Sequence, residues 1–346
     1  MGMAREMAKG ISRTSGMAFS VRLGHFRAWP SEQVLIDEPL ALAEERTSRL
    51  RRIYANASRD LWDGPAVFRE AVAKHGGIQL DLEKRRALAY PISMLMWGEL
   101  GAWIVAAELA ERLEDPDARM AASSQVFDEA RHFYVLRDYL ALLHVPVPPL
   151  DPYFALGARR LLMARDLDLK LLAMQIVAEG TAQVIFRFLA DGNVEPVLTE
   201  ILPVLERDEA RHVGLGTLHL PERLAKLSPA QAARLSSRAG AIADAFLMTQ
   251  VRYHAHYRTL GLDPRELARR GDRMLAELSH KLGSVPGTGQ PYLRAGELSD
   301  PANAARLDAL FPPPGARDHA AGRLLRRLLD AGTWVLPGMR SRTQRA

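Results

Sequence analysis

The sequence predicts an all-α protein, a four-helix bundle with extra helices before and after it. Three observations carry this. No stretch of the 346 residues sustains the period-two alternation of β-branched and aromatic residues that marks a strand. Long segments of helical pattern are separated by short breakers rather than by long loops. The middle of the chain also repeats: Asp128-Glu129-Ala130-Arg131-His132 recurs as Asp208-Glu209-Ala210-Arg211-His212, offset by 80 residues.

The breakers are Asp115-Pro116-Asp117, the stretch from Pro146 to Pro152, Asp191-Gly192-Asn193, Ser228-Pro229 and Asp263-Pro264. A proline disfavours helix in the residue before it and is tolerated in the first turn after it, so each Xaa-Pro reads as a helix start. The resulting helices span 36–57, 64–75, 81–114, 117–144, 154–190, 194–218, 229–260, 264–282 and 318–335. Residues 1–35 read as a flexible basic N-terminal arm and 36–282 as the helical domain, with the repeat-bearing bundle at 81–218. Residues 283–346, rich in Gly and Pro at first, read as a loop-rich C-terminal arm with one amphipathic helix, 318–335.

Composition narrows the chemistry. With 48% hydrophobic and 25% charged residues the chain is globular rather than disordered. It has no cysteine, which excludes disulfides, thiolate zinc sites, Fe–S clusters and cysteine nucleophiles together. Any metal must therefore be held by carboxylate and imidazole. No run of about 18 apolar residues is present, so no transmembrane segment is expected. The apolar stretch near Met17 is broken by Ser20, too short for a secretory signal, and a cytoplasmic location is expected. The net charge is +5, but the basic residues are spread as pairs such as Arg51-Arg52 and Arg326-Arg327. Without a block of like charge, nucleic acid is not an expected partner, and the alternatives are a solvated surface or a docking face for an acidic protein.

The repeat carries the chemistry. Each Glu-x-x-His puts a carboxylate and an imidazole on one helix face, one turn apart, where a single metal can take both. Each string has a further Glu 30 residues before its own: Glu99 for Glu129, and Glu179 for Glu209. The breakers at 115–117 and 191–193 lie about midway within each pair, so a hairpin levels the two carboxylates across antiparallel helices. Two hairpins face to face place Glu99, Glu129, His132, Glu179, Glu209 and His212 in one core. Four buried carboxylates demand neutralisation, and two divalent cations supply it. Two Glu plus two Glu-x-x-His is the di-iron or di-manganese arrangement of the ferritin-like bundle. This oxygen-rich set suits Fe or Mn better than Zn. Asp128 and Asp208 can accept the second ring N–H of the histidines, and Arg131 and Arg211 can pair with those Asp carboxylates. A lone Glu-x-x-His reads more simply as a solvated i,i+3 contact; the duplication with matched upstream Glu residues argues against that reading.

On these residues, 81–218 resembles the ferritin-like di-iron carboxylate superfamily in its oxidase and oxygenase branch. The paired Asp-Glu-x-Arg-His strings resemble those of bacterial multicomponent monooxygenase hydroxylase subunits, and acyl-carrier desaturases and ribonucleotide reductase small subunits are similar in architecture. The resemblance implies two Fe ions, Mn or mixed Mn/Fe also being allowed, with O2 as co-substrate. It implies that Glu129 and Glu209 bridge or cap the metals, that His132 and His212 sit one on each, and that Asp208 orients His132 while Asp128 orients His212. The implied reaction is oxidation of an organic, apolar substrate by hydroxylation, desaturation or a similar step. A ferroxidase or iron-handling subunit is the alternative, although ferritin-type subunits are little more than the bundle. A radical-generating subunit is the third reading, but those subunits typically carry a Tyr four residues after the first His, where this chain has Leu136.

Trp103 and Gln183 lie four residues after Glu99 and Glu179, and Gln125 and Gln175 four before Glu129 and Glu179. They read either as pocket lining, together with Phe133 and Phe186, or as packed core. The cluster Tyr253, His254, His256 and Tyr257 reads as a packed aromatic face rather than a second metal site. Expected partners are an external electron donor (a reductase or ferredoxin) and a small organic or carrier-bound acyl substrate. A homodimer is compatible with the sequence.

Overall fold

The computed structural model describes residues 49–293 and 301–312. Among these the helices are α1 (Arg49–Arg59), α2 (Gly64–His75), α3 (Leu82–Arg112), α4 (Pro116–Leu142), α5 (Pro152–Leu162), α6 (Leu167–Asp191), α7 (Pro196–Leu224), α8 (Pro229–Thr259), α9 (Pro264–Leu282) and α10 (Pro301–Leu310). The only pairing outside helices among the described residues is one antiparallel bridge between Ser284 and Pro291. The protein is all-α, as the sequence predicts. The N-terminal arm, the start of the first expected helix and the helix expected at 318–335 lie outside the described residues.

The expected breakers work as caps. Asp115, Asp151, Ser228 and Asp263 each accept a backbone N–H of the following first turn, and a proline follows each. Ser228 completes a capping box with Gln231. Three boundaries differ from expectation. The helix expected over 154–190 is two, because Asp166 accepts from the Asp168 and Leu169 amides and starts a new helix without any Pro or Gly to announce it. The helix expected to stop at 218 runs through Pro221 to Leu224. The segment read as loop over 283–317 contains α10.

The bundle is built from two hairpins, α3–α4 and α6–α7. Along each of the four helices the buried carboxylates and imidazoles fall mid-length, between apolar stretches, while Lys170, buried at the start of α6, pairs with Glu108 instead. The C-terminal half of α3, the N-terminal half of α4, the first part of α6 and the end of α7 share one apolar layer, with Val105, Leu109, Ala122, Leu172, Ile176 and Leu215 in it. The opposite halves share a second layer, with Ile92, Leu136, Phe186 and Leu202. Helices α5, α8 and α9 close the outer sides. Two of the bundle helices, Leu82–Arg112 and Leu167–Asp191, are long and apolar enough to cross a membrane, contrary to expectation. Their most apolar windows are 56% and 72% buried inside the chain, and each carries an inward Glu, so this apolarity packs the bundle.

Within α6, residues Leu171–Ala178 form a π segment, so the Glu179 N–H reaches back five residues to the Met174 carbonyl. Gly216 of α7 lets this wider segment approach: a Cβ there would lie 2.6 Å from Gln175 Cβ and 2.9 Å from Ile176 Cδ1. Gly240 in α8 has open space around it. We therefore expect Gly216→Ala to destabilise the fold by about 1–3 kcal/mol through overpacking. Gly240→Ala should stabilise it by about 0.5–1 kcal/mol by restricting the unfolded chain. Urea unfolding of the two variants checks the contrast; equal effects would mean that the α6–α7 approach is not constrained at Gly216.

Candidate metal centre

Glu99 comes from α3, Glu129 and His132 from α4, Glu179 from α6, and Glu209 and His212 from α7; all six are buried. Their ligand atoms fall into two overlapping groups. One holds Glu99, Glu129, His132 and Glu209, the other Glu129, Glu179, Glu209 and His212, and within each group the atoms lie within 4.8 Å of one another. Glu129 and Glu209 belong to both.

The histidines present Nδ1 inward. His132 Nδ1 is 3.0 Å from Glu209 Oε1 and 3.6 Å from Glu99 Oε2. His212 Nδ1 is 2.9 Å from Glu209 Oε2 and 3.1 Å from Glu129 Oε1. Their outer nitrogens face the opposite repeat: His132 Nε2 is 3.2 Å from Asp208 Oδ2, and His212 Nε2 is 3.3 Å from Asp128 Oδ2. An ionised Asp can only accept, so each Nε2 carries a proton, and once the ring is neutral each Nδ1 has a lone pair for a metal. The arginines lock the two halves together. Arg131 Nη2 donates to Asp128 Oδ1 at 2.6 Å and Asp208 Oδ2 at 2.8 Å. Arg211 Nη2 donates to Asp208 Oδ1 at 2.7 Å and Asp128 Oδ2 at 2.9 Å.

Trp62, between α1 and α2, has no sequence signal of its own. Its Nε1 donates to Asp208 Oδ2 at 2.7 Å, its ring stacks on His132 at 6.3 Å, and the Arg131 guanidinium lies over it at 4.6 Å. Gln125 and Gln175 resolve as buried amides in a hydrogen-bonded chain that ends on the carboxylates. Gln175 Nε2 donates to Gln125 Oε1 at 2.8 Å, and Gln125 Nε2 donates to Glu179 Oε1 at 2.6 Å and Glu129 Oε1 at 2.9 Å.

Beside the cluster is a cavity of about 670 Å³, counting the part open to solvent, walled by α3, α5, α6 and α8. Glu99 and Glu179 form part of its lining; most of the rest is apolar, including Leu95, Phe154, Met174, Ile185 and Phe246. The residues expected to line a pocket lie elsewhere. Trp103 is 41% exposed, because the buried stripe of α3 continues from Glu99 through Ala102, Val105 and Ala106. Four residues turn the helix 40° past a full circle, which carries Trp103 off that stripe. Gln183 is only half-buried, while α6 faces the cavity with Thr181, Ala182 and Ile185. Phe133 and Phe186 pack in the second apolar layer. The aromatic cluster on α8 is packed: Tyr90 stacks on His256 at 3.7 Å, and Tyr257 Oη donates to Gln250 Oε1 at 2.6 Å.

The donor set fits a metal pair. Glu129 Oε2, Glu209 Oε1 and His132 Nδ1 are buried and make no well-aligned hydrogen bond, although the last two lie 3.0 Å apart, as expected of atoms that converge on a cation. Without cations the cluster must hold protons. Burial, then repulsion from Glu209 and Glu129, pushes Glu99 well above the usual carboxylate range. Burial, with repulsion from Glu129 and Glu209, does the same to Glu179. Burial opposes a charged imidazole, but the surrounding carboxylates raise His132 and His212 well above the usual histidine value. Asp208 is held far below its ordinary value; against the cost of burial, His132, Trp62 and Arg211 stabilise its charge.

No protein-family model matches this sequence, and no curated protein matches it. Solved structures of similar fold do. An R2-like ligand-binding oxidase with an aerobically reconstituted metal cofactor after photoconversion is 14% identical, with TM-score 0.53, covering 72% of this chain and 96% of that one. A variant with an anaerobically reconstituted Mn/Fe cofactor is 15% identical, with TM-score 0.54, covering 69% and 94%. Another variant, with an aerobically reconstituted Fe/Fe cofactor, is 15% identical, with TM-score 0.52, covering 72% and 96%. The fold is thus that of the ferritin-like, R2-like helical proteins.

The raised groups give a pH signature. Glu99, Glu179, His132 and His212 have folded values above their unfolded ones. Their stabilising contribution is present at low pH and lost as pH rises through the folded values. Divalent cations replace those protons. Between about pH 5 and pH 8 the metal-free chain should lose thermal stability while the metal-loaded chain keeps it. Each kcal/mol corresponds to about 2–4 °C. Melting curves at several pH values check this; parallel pH dependence with and without metal would count against a charged buried cluster.

Proposed function

We propose that the chain is a di-metal oxidase or oxygenase that uses O2 to oxidise an apolar organic molecule held in the cavity beside the carboxylate cluster. The observation that carries this reading is the pair of overlapping ligand groups, with unpartnered donor atoms, opening through Glu99 and Glu179 onto an apolar cavity. Glu129 and Glu209, common to both groups, would bridge; Glu99 with His132 and Glu179 with His212 would complete one subsite each. When bound, a pair of Fe ions, or Mn with Fe as in the similar structures, supplies the reduction of O2. Asp208 and Asp128 keep the imidazoles aligned and their Nε2 protonated, and Arg131 and Arg211 keep both Asp residues ionised. Apolar side chains from α5 and α8 exclude water from the reacting end of the substrate. The similar structures are named as ligand-binding oxidases, which agrees with a cavity of this kind. A ferroxidase would have no use for one.

Electrons would come from an external donor, since a chain without cysteine holds no Cys-ligated Fe–S cluster. An acidic reductase or ferredoxin suits its net positive charge, and such docking should weaken as salt rises. The radical-subunit reading is disfavoured by the tyrosines. Leu136 is fully buried where such a subunit would carry Tyr, Tyr134 is 52% exposed, and Tyr139 donates to the helix-cap residue Glu195 at 3.0 Å rather than to a ligand carboxylate.

Two outcomes follow. Metal analysis should find about two Fe or Mn per chain, and Glu129→Ala/Glu209→Ala should lose both; undiminished binding in that double variant would sink the proposal. Oxygen exposure of the Fe(II)-loaded chain should give no long-lived tyrosyl EPR signal. A stable signal that disappears in Tyr139→Phe would favour a radical-generating subunit instead.

A further inference from the structure

The two ligand groups are alike in composition but not in support. Gln125 Nε2 donates to two carboxylate oxygens at once, Glu179 Oε1 and Glu129 Oε1. Both lie on the Glu179/His212 side: Glu129 Oε1 is the oxygen 3.1 Å from His212 Nδ1, while Glu129 Oε2, on the other side, has no hydrogen-bond partner. The orientation of the Gln125 amide is set by Gln175, whose own N–H occupies Gln125 Oε1 at 2.8 Å and so leaves Nε2 to face the carboxylates. Gln175 is placed by the π segment, and Gly216 leaves room for it. On the other side, the polar contacts of Glu99 are with His132 Nδ1 at 3.6 Å and with Glu129, both themselves candidate ligands.

Taking the metal-centre reading above as its premise, we propose that Gln125, held by Gln175, is a positioning residue for one of the two metals. It clamps Glu179 and the Oε1 edge of the shared Glu129 together on the Glu179/His212 side, whereas it donates nothing to Glu129 Oε2 on the Glu99/His132 side. The physical reason is repulsion. Two desolvated carboxylates from different helices separate unless a donor sits between them, and reassembling them would cost binding energy at the moment of metal entry. A neutral amide gives each an N–H without adding a charge that competes with the cation. One oxygen of Glu179 is thereby engaged, and Oε2 is left for the metal. The subsites are therefore inequivalent, and the steps of metal uptake are separable by substitution at the amide pair.

The test is titration of metal-free full-length protein with Mn(II), following the EPR signal of free Mn(II). Wild type should take up two ions. The step removed by Glu179→Ala identifies one subsite and the step removed by Glu99→Ala the other. Gln125→Met, nearly isosteric but without a donor, should weaken the Glu179 step by about tenfold or more and the Glu99 step, which shares only Glu129 with it, by much less. Gln125→Glu, of the same shape but an acceptor, should not rescue it. Gln175→Met, which touches no carboxylate, should shift the same step in the same direction, so the proposal remains testable if Gln125 variants do not fold. Equal weakening of both steps, weakening confined to the Glu99 step, or no change in Gln175→Met would overturn it. Two ions bound by Gln125→Met with wild-type affinities would overturn this proposal alone; a wild-type chain that binds no Mn(II) would overturn the metal-centre reading with it.

Discussion

Four carboxylates buried at one level of a helical bundle repel one another at close range in a medium that screens them poorly. Much of the surrounding structure answers that problem. Above and below the cluster the bundle is apolar, which keeps water from the charges on those two sides. Two imidazoles point their inner nitrogens at the carboxylates, and several of the remaining donor atoms are left without protein partners. Protons can occupy such a site only at the cost of stability that varies with pH. Cations occupy it without that cost, which is why the cluster reads as a metal centre rather than as a structural salt-bridge network.

The next shell holds the two halves of the repeat to each other. Each His is oriented by the Asp of the opposite string, and each Arg reaches both Asp residues. The resulting four-residue ring ties α4 to α7 on one side of the ligands. The glutamine pair ties α4 to α6 on another side. These two supports differ in kind. The Asp–Arg ring is nearly symmetric and serves both histidines. The amide pair and Trp62 are not: Gln125 contacts Glu179, which belongs to one ligand group, and the Oε1 edge of the shared Glu129, and Trp62 contacts the Asp that faces His132. The duplicated motif thus sits in unequal surroundings.

The cavity adds the functional direction. It meets the cluster at Glu99 and Glu179, the two carboxylates not common to both ligand groups. Its wall is completed by α5 and α8, which are not part of the four-helix bundle. Helices outside the bundle therefore shape the cavity, while the bundle places the cluster that meets it.

The fold class, the hairpin breaks and the convergence of six side chains were legible in the sequence, because each depends on local rules. Helical period sets Glu-x-x-His on one face, Asp-Pro and Ser-Pro start helices, and equal spacing on either side of a turn levels two residues across a hairpin. Tertiary structure decided the rest. The break at Asp166 carries no proline or glycine, and the π segment before Glu179 has no compositional mark. Trp62 reaches Asp208 across 146 positions of sequence, a contact no local pattern encodes. Trp103 shares a turn with Glu99, yet the bundle's neighbours turn the buried stripe to the other side of it. Periodicity says which residues share a face of a helix; only the packing of the other helices decides how wide that face is and which edge of it meets the cavity.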